Sequence, residues 1–133
     1  MILANAPARL ELLAAGLEEA ARKKSRSGRA LTEQPRFSNA IASVRRHAAE
    51  IRAKITEAAF QLDSGANAFL ASARTKLECS ILFEEASRTL LQLGGKEAFL
   101  AGSPLEENFR DSLASALYSG PNDLLEALLE ATE

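Results

Sequence analysis

The chain has 133 residues, a net charge of −2, and a composition that is 47% apolar and 26% charged, which suits one domain with a continuous core over residues 1–133. Such a charge excludes a general nucleic-acid binder, which needs large counterion release, and no apolar run approaches the roughly 20 residues that cross a bilayer. The amino terminus lacks the basic-then-apolar pattern of a secretion signal, and a single cysteine rules out an internal disulfide framework, so the cytoplasm is the expected compartment, with neither nucleic acid nor membrane as a partner.

Alanine and leucine dominate the apolar share, and the strand formers are sparse, so helices are expected throughout. The first helix is predicted from about Ala8 to Lys24, with Leu10, Leu13, Leu17 and Ala21 on one stripe. Glu18 with Arg22 and Glu19 with Lys23 stand at i,i+4 on its wet side. Residues 25–29, Ser-Arg-Ser-Gly-Arg, break the pattern and read as a loop. Helix two carries Phe37, Ile41, Val44, Ala48, Ile51, Ile55, Ala58 and Leu62 at alternating spacings of four and three. That is an a/d seam, so the helix presents a narrow apolar edge and packs near-parallel to its neighbours. Pro35 fits its first turn, Ser64-Gly65 ends it, and it should span about 40 Å.

Helix three is expected from Asn67 or Ala68 to Gly94-Gly95. Leu70, Leu77 and Ile81, then Phe83, Ala86, Leu90 and Leu93, give it a broad face that drifts around the axis, as contact with several neighbours requires. Helix four opens with Ser103-Pro104-Leu105-Glu106, a capping-box arrangement, and Leu105, Phe109, Leu113 and Leu117 are expected to face inward. Tyr118-Ser119-Gly120-Pro121 stops it, and a short last helix after Asn122 carries Leu124, Leu125, Leu128 and Leu129. Long helices joined by short turns predict an all-α, four-helix up-and-down bundle.

Two chemistries that recur in such bundles are excluded by composition. A di-iron site wants two Glu-x-x-His pairs, and here the one histidine, His47, has Val44 three residues before it, so no metal site is expected. A phosphotransfer bundle needs a lysine and a small residue after the histidine, and Ala48-Ala49-Glu50 does not provide them. His47 therefore reads as a solvated helix residue beside the seam. Cys79, amid Leu77, Ile81 and Leu82, reads as a buried filler rather than a nucleophile, since His47 is the sole imidazole that could activate it. Neither a phosphate-binding glycine loop nor a nucleophile elbow is present. Arg22, Lys23, Lys24, Arg26 and Arg29 form the one unusual cluster. It suits a helix C-terminus electrostatically, and it also suits a phosphate-bearing partner.

The string LGGKEAFLAGSPLEENFRDSLASALYSGPNDLL, from Leu93 onward, resembles the carboxy-terminal domain of the acyl-CoA dehydrogenases. The matching positions are Gly94-Gly95, Pro104-Leu105-Glu106, Arg110-Asp111, Tyr118, Gly120 and Asn122, with Gly28-Arg29-Ala30-Leu31, Glu33 and Leu62-Asp63-Ser64-Gly65 upstream. The resemblance implies a helical bundle and a family of three-domain enzymes that oxidise acyl-CoA thioesters with FAD, a glutamate taking the α-proton. It places the cofactor-facing set at Lys24, Arg26, Gly94, Gly95 and Asn122, and the glutamate's position at Ser119. An unactivated hydroxyl cannot take that proton near neutrality, so no catalytic residue is expected. The family's loop arginine falls at Lys24, its phenylalanine at Ser27, its glutamine at Leu91, its threonine at Pro121 and a later glycine at Glu97.

The resemblance then implies a non-catalytic oligomerisation or accessory subunit that holds no cofactor alone. It would pair with itself or with a larger acyl-CoA dehydrogenase-like chain. Two other readings stay open. The chain could be half of a split enzyme whose partner supplies the FAD and acyl-CoA domains and the base, with FAD bound only in the complex, or it could be a regulatory adaptor with a new ligand in the old thioester groove.

Overall fold

The computed structural model describes residues 2–23, 25–26, 28–117 and 121–132. They form five α-helices: α1 (Ile2–Arg22), α2 (Pro35–Asp63), α3 (Ala68–Leu93), α4 (Pro104–Ser115) and α5 (Asn122–Thr132). Between α1 and α2, a minimal ribbon pairs Arg26 with Arg29 and Ser25 with Ala30, where the sequence reads as a loop. Gly28, at φ +77°, supplies the left-handed step of that reversal. A 3-10 turn, Leu31–Glu33, leads into α2, and a second, Lys96–Phe99, follows α3.

α1 begins six residues before the expected Ala8 and contains Pro7. Leu3 and Ala6 are buried, so packing outweighs the backbone bond that the proline removes. The helix borders elsewhere follow their chemical marks. Pro35 occupies the first turn of α2, and the Asn67 side chain accepts from the Phe69 and Leu70 amides to cap α3. Ser103 accepts from the Glu106 amide at 3.1 Å. The glutamate reaches back one residue further than a capping box requires, accepting from the Gly102 amide at 3.3 Å.

The principal core joins α1, α2 and α3. Leu10, Val44, Ile51, Phe83 and Leu90 are fully enclosed there, and burying a large aliphatic side chain contributes about 1.5–3 kcal/mol. The seam of α2 is buried from Phe37 through Ile51, then opens, and Leu62 is 40% exposed. With 29 residues α2 is about 43 Å long against about 31 Å for the 21 residues of α1.

Cross-links establish antiparallel neighbours. Glu18–Arg45 and Glu11–Arg52 join α1 to α2, Glu78–Lys54 and Glu85–His47 join α3 to α2, and Asp111–Arg9 joins α4 to α1. Glu18 thus pairs across helices rather than with Arg22, and Arg22 bonds Glu19 instead. Exposed pairs of this kind contribute little individually, but together they place basic α2 between two acidic edges and fix its register. His47 is not simply solvated. Its side chain is 17% exposed, Nδ1 donates to the Ser43 carbonyl at 2.7 Å, and Nε2 lies 3.1 Å from Glu85.

A stripe of small residues at seven-residue spacing, Ala73, Ser80, Ser87 and Gly94, runs down α3 and takes the rest of the chain. Ala73 packs with Leu125 and Leu129 of α5. Ser80 bonds Asn122, Ser87 accepts from Asn108, and Gly94 lies against Leu105. This docking turns α4 the other way from its expected pose. Leu105 and Phe109 are half-buried, but Leu113 and Leu117 are 42% and 67% exposed, while Asn108, Ser112 and Ser115 point inward. Ile81 of α3 is likewise exposed, since the drift of that face carries it past α5.

Candidate functional site

The residues that the resemblance marks as cofactor-facing fall at three places. The first is the basic turn after α1. Lys24, like Ser27, lies outside the described residues, and at Arg26 only the backbone is described, paired with Arg29. Arg22 is exposed and bonded to Glu19 at 3.1 Å, and Lys23 is exposed.

The glycine pair ends α3, and its two members do different work. A Cβ on Gly94 would meet Leu105 Cδ1 at 2.5 Å and the Ala98 Cβ at 2.6 Å. Gly94 is therefore required by the packing of α4 and the second 3-10 turn onto α3, independently of any ligand. Gly95 has φ +71° and faces open space. It makes the reversal after α3, and its bare backbone is the one place in this set where a flat group could approach closely. Leu91, at the glutamine's place, is buried.

Asn122 starts α5, and its side chain is engaged within the chain. Oδ1 accepts from Lys76 Nζ at 2.8 Å and from Ser80 Oγ at 3.2 Å, while Nδ2 donates to Ser80 Oγ at 2.9 Å. Burial lowers the pKa of Lys76 from its usual 10.5. The Asn122 amide closes the preceding turn on the Ala116 carbonyl at 3.0 Å. This polar cluster anchors α5 to α3, and nothing in the sequence pattern singled out Lys76 or Ser80. Along α3, Ser80 and Gly94 are 14 residues and about 21 Å apart, so Asn122 and the glycine pair serve opposite parts of that helix. Ser119, with Tyr118 and Gly120, lies outside the described residues.

Cys79 is enclosed between α2 and α3, 3.9 Å from the Ile51 carbonyl, and burial pushes its thiol up to about 11. A thiol so disposed is not a nucleophile near neutrality. Among the described residues, no three metal-ligating side chains come together, and no helix is long and apolar enough to cross a membrane.

A concavity lies along the α2–α3 hairpin, between the second half of α2 and the first half of α3. It is an open groove of about 840 Å³ with Ala53, Ala58, Leu70 and Ala71 on its floor and Lys54 and Glu78 on its walls. Phe60 and Phe69, 69% and 55% exposed, stand at the same end of the hairpin.

Comparison with known proteins places the fold. The prolyl acyl carrier protein oxidase AnaB superposes with a TM-score of 0.86 at 21% identity, over 98% of this chain and 34% of its own. Butyryl-CoA dehydrogenase from Megasphaera elsdenii gives 0.85 at 18% identity, over 98% and 34%. The FAD complex of PigA gives 0.80 at 22%, over 92% and 32%. This chain therefore spans about a third of the length of these solved relatives. No curated protein sequence matches it. The family model described as acyl-CoA dehydrogenase, C-terminal domain, matches residues 1–132, and the chain belongs to that family.

Proposed function

We propose that this chain acts as a non-catalytic oligomerisation or accessory subunit built on the acyl-CoA dehydrogenase C-terminal bundle. The observation that carries this reading is the uncovered end of the α2–α3 hairpin. Phe60, Leu62 and Phe69 are exposed there, beside an open groove between α2 and α3 lined by Ala53, Ala58, Leu70 and Ala71. Apolar surface of that kind marks an association site, and a second copy meeting it about a twofold axis buries both faces at once. The sequence supports the non-catalytic half, because Ser119 stands where the resemblance puts the glutamate, and Gly94 and Asn122 are occupied with packing α4 and anchoring α5 on α3.

The purified chain is expected to sediment as a dimer or tetramer at tens of micromolar and to be colourless. It should not oxidise an acyl-CoA with an artificial electron acceptor. Phe60→Glu should shift it to monomer without loss of helicity. A wild-type monomer would refute the self-association, and a yellow protein, or turnover lost in Ser119→Ala, would refute the non-catalytic reading.

Gly95, open and in the left-handed region beside no packed neighbour, favours a second reading. In that reading the chain is half of a split FAD-dependent enzyme, and a partner chain supplies the flavin and thioester domains together with the base. Co-purification with such a chain in yellow form from the native host would select it.

A further inference from the structure

The interior of the molecule is filled unequally by its helices. Every buried side chain of the principal core lies on α1, α2 or α3, and a second small cluster joins α3 to α5. α4 reaches the principal core through the partly buried Leu105. Its fully inward side chains are all polar: Asn108, Ser112 and Ser115. Asn108 donates to Ser87 Oγ at 2.8 Å, but its Oδ1 is equally enclosed and has no hydrogen-bond partner among the described residues. Ser112 and Ser115 direct their hydroxyls to carbonyls of α4 itself, Phe109 and Ser112, both at 2.6 Å, so those bonds add nothing across the interface.

What else holds α4 lies at its margins. Arg9 bonds Asp111 at 2.7 Å with both side chains about two-fifths exposed, and the Arg88 guanidinium sits 5.9 Å from the Phe109 ring centre. At 12 residues α4 is of a length that is marginal for a helix without strong tertiary support. Few buried apolar contacts and an unsatisfied buried acceptor are the features of a low-stability unit. Glycines at positive φ, Gly95 and Gly102, flank the turn that leads into it.

We infer that α4 is a strap that opens from an intact α1–α2–α3 core. The closed form predominates, and α5 keeps its own attachment through Leu125, Leu129 and Asn122. Opening uncovers α3 from Ser87 to Gly94 and releases the Arg9–Asp111 link. A partner that recognises the uncovered face of α3 then binds with an affinity scaled by the small open fraction, so anything that stabilises the strap weakens that association.

Native-state hydrogen exchange on the whole purified chain tests this. Amides within 104–115 should exchange at least tenfold faster than those of 41–51, with a weaker denaturant dependence, because local opening exposes less surface than unfolding does. Replacing the polar contact by apolar groups, Asn108→Leu with Ser87→Ala, should slow 104–115 at least tenfold and leave 41–51 within about twofold. Should that pair fail to fold, Ser112→Ala, which removes a hydroxyl bonded only within α4, should slow the same amides at least twofold. Equal rates and equal denaturant dependence in the two segments would overturn the inference. So would variants that slow both segments together.

Discussion

α2 and α4 are written in similar code and packed by different rules. Both carry an apolar stripe at helical spacing, and both open on a proline in the first turn. α2 turns its stripe inward from Phe37 to Ile51, while α4 leaves Leu113 and Leu117 outside and buries Asn108, Ser112 and Ser115. The difference lies on the surface each must meet. α2 faces large side chains such as Leu10 and Phe83, which interlock with other large ones. α4 faces Ser87 and Gly94, and small groups opposite small groups let two helices come close. Periodicity identifies a helix and its two faces. The neighbour decides which face goes in.

The largest test of that contrast is Ile51→Asp, which puts an unpaired carboxylate where no solvent reaches. It should cost more than about 4 kcal/mol and abolish the thermal transition. A stable, cooperative Ile51→Asp protein would mean that the seam of α2 is not the core. Next comes Gly94→Ala, whose added methyl would overlap Leu105 and Ala98. Overpacking of this kind costs about 1–3 kcal/mol, read from denaturant midpoints, and a neutral result would show α4 sitting further from α3 than described.

Cys79 sharpens the α2–α3 side. Burial raises its pKa from 9.0 to about 11, so the folded chain holds the proton more tightly than the unfolded one. The stability this gives is fully present below pH 9 and is lost as pH rises toward 11. The slope is at most about 1.4 kcal/mol per pH unit. Comparing wild type with Cys79→Ala across that range should show the wild type losing ground, and parallel curves would place the thiol in contact with water. The smallest effect belongs to Leu113→Gln on the exposed face of α4, expected within about 0.5 kcal/mol of wild type. A large loss there would show that the face is covered in solution.

Much of the fold is legible in the chain because helix borders have local chemistry. Pro35, Asn67, Ser103 and the glycines at 65 and 95 act within a turn of where they stand. The seam of α2 is legible for the same reason, since its period is a property of one segment. The orientation of α4, the extra turns of α1 before Ala8 and the pairing of Glu18 with Arg45 are set by residues distant in sequence. A signal for the first was nonetheless present, in the seven-residue spacing of Ala73, Ser80, Ser87 and Gly94.

The candidate site is less legible for a physical reason. Glycine and asparagine serve both ligands and turns, and Gly94 and Asn122 show turn and packing duties when their neighbours are known. Lys24 and Ser119, where the resemblance makes its sharpest claims, lie outside the described residues.

The small-residue stripe of α3 also sets how the chain can change length. Inserting or deleting one residue between Ala73 and Gly94 rotates everything beyond it by about 100° around the helix. Such a change would break one track into two, leaving α5 on one face and α4 on another. The turn at residues 64–66 is under no such rule, being exposed and joining two helices at their ends. Length variants that keep the fold should therefore gather in that turn, while α3 keeps its residue count.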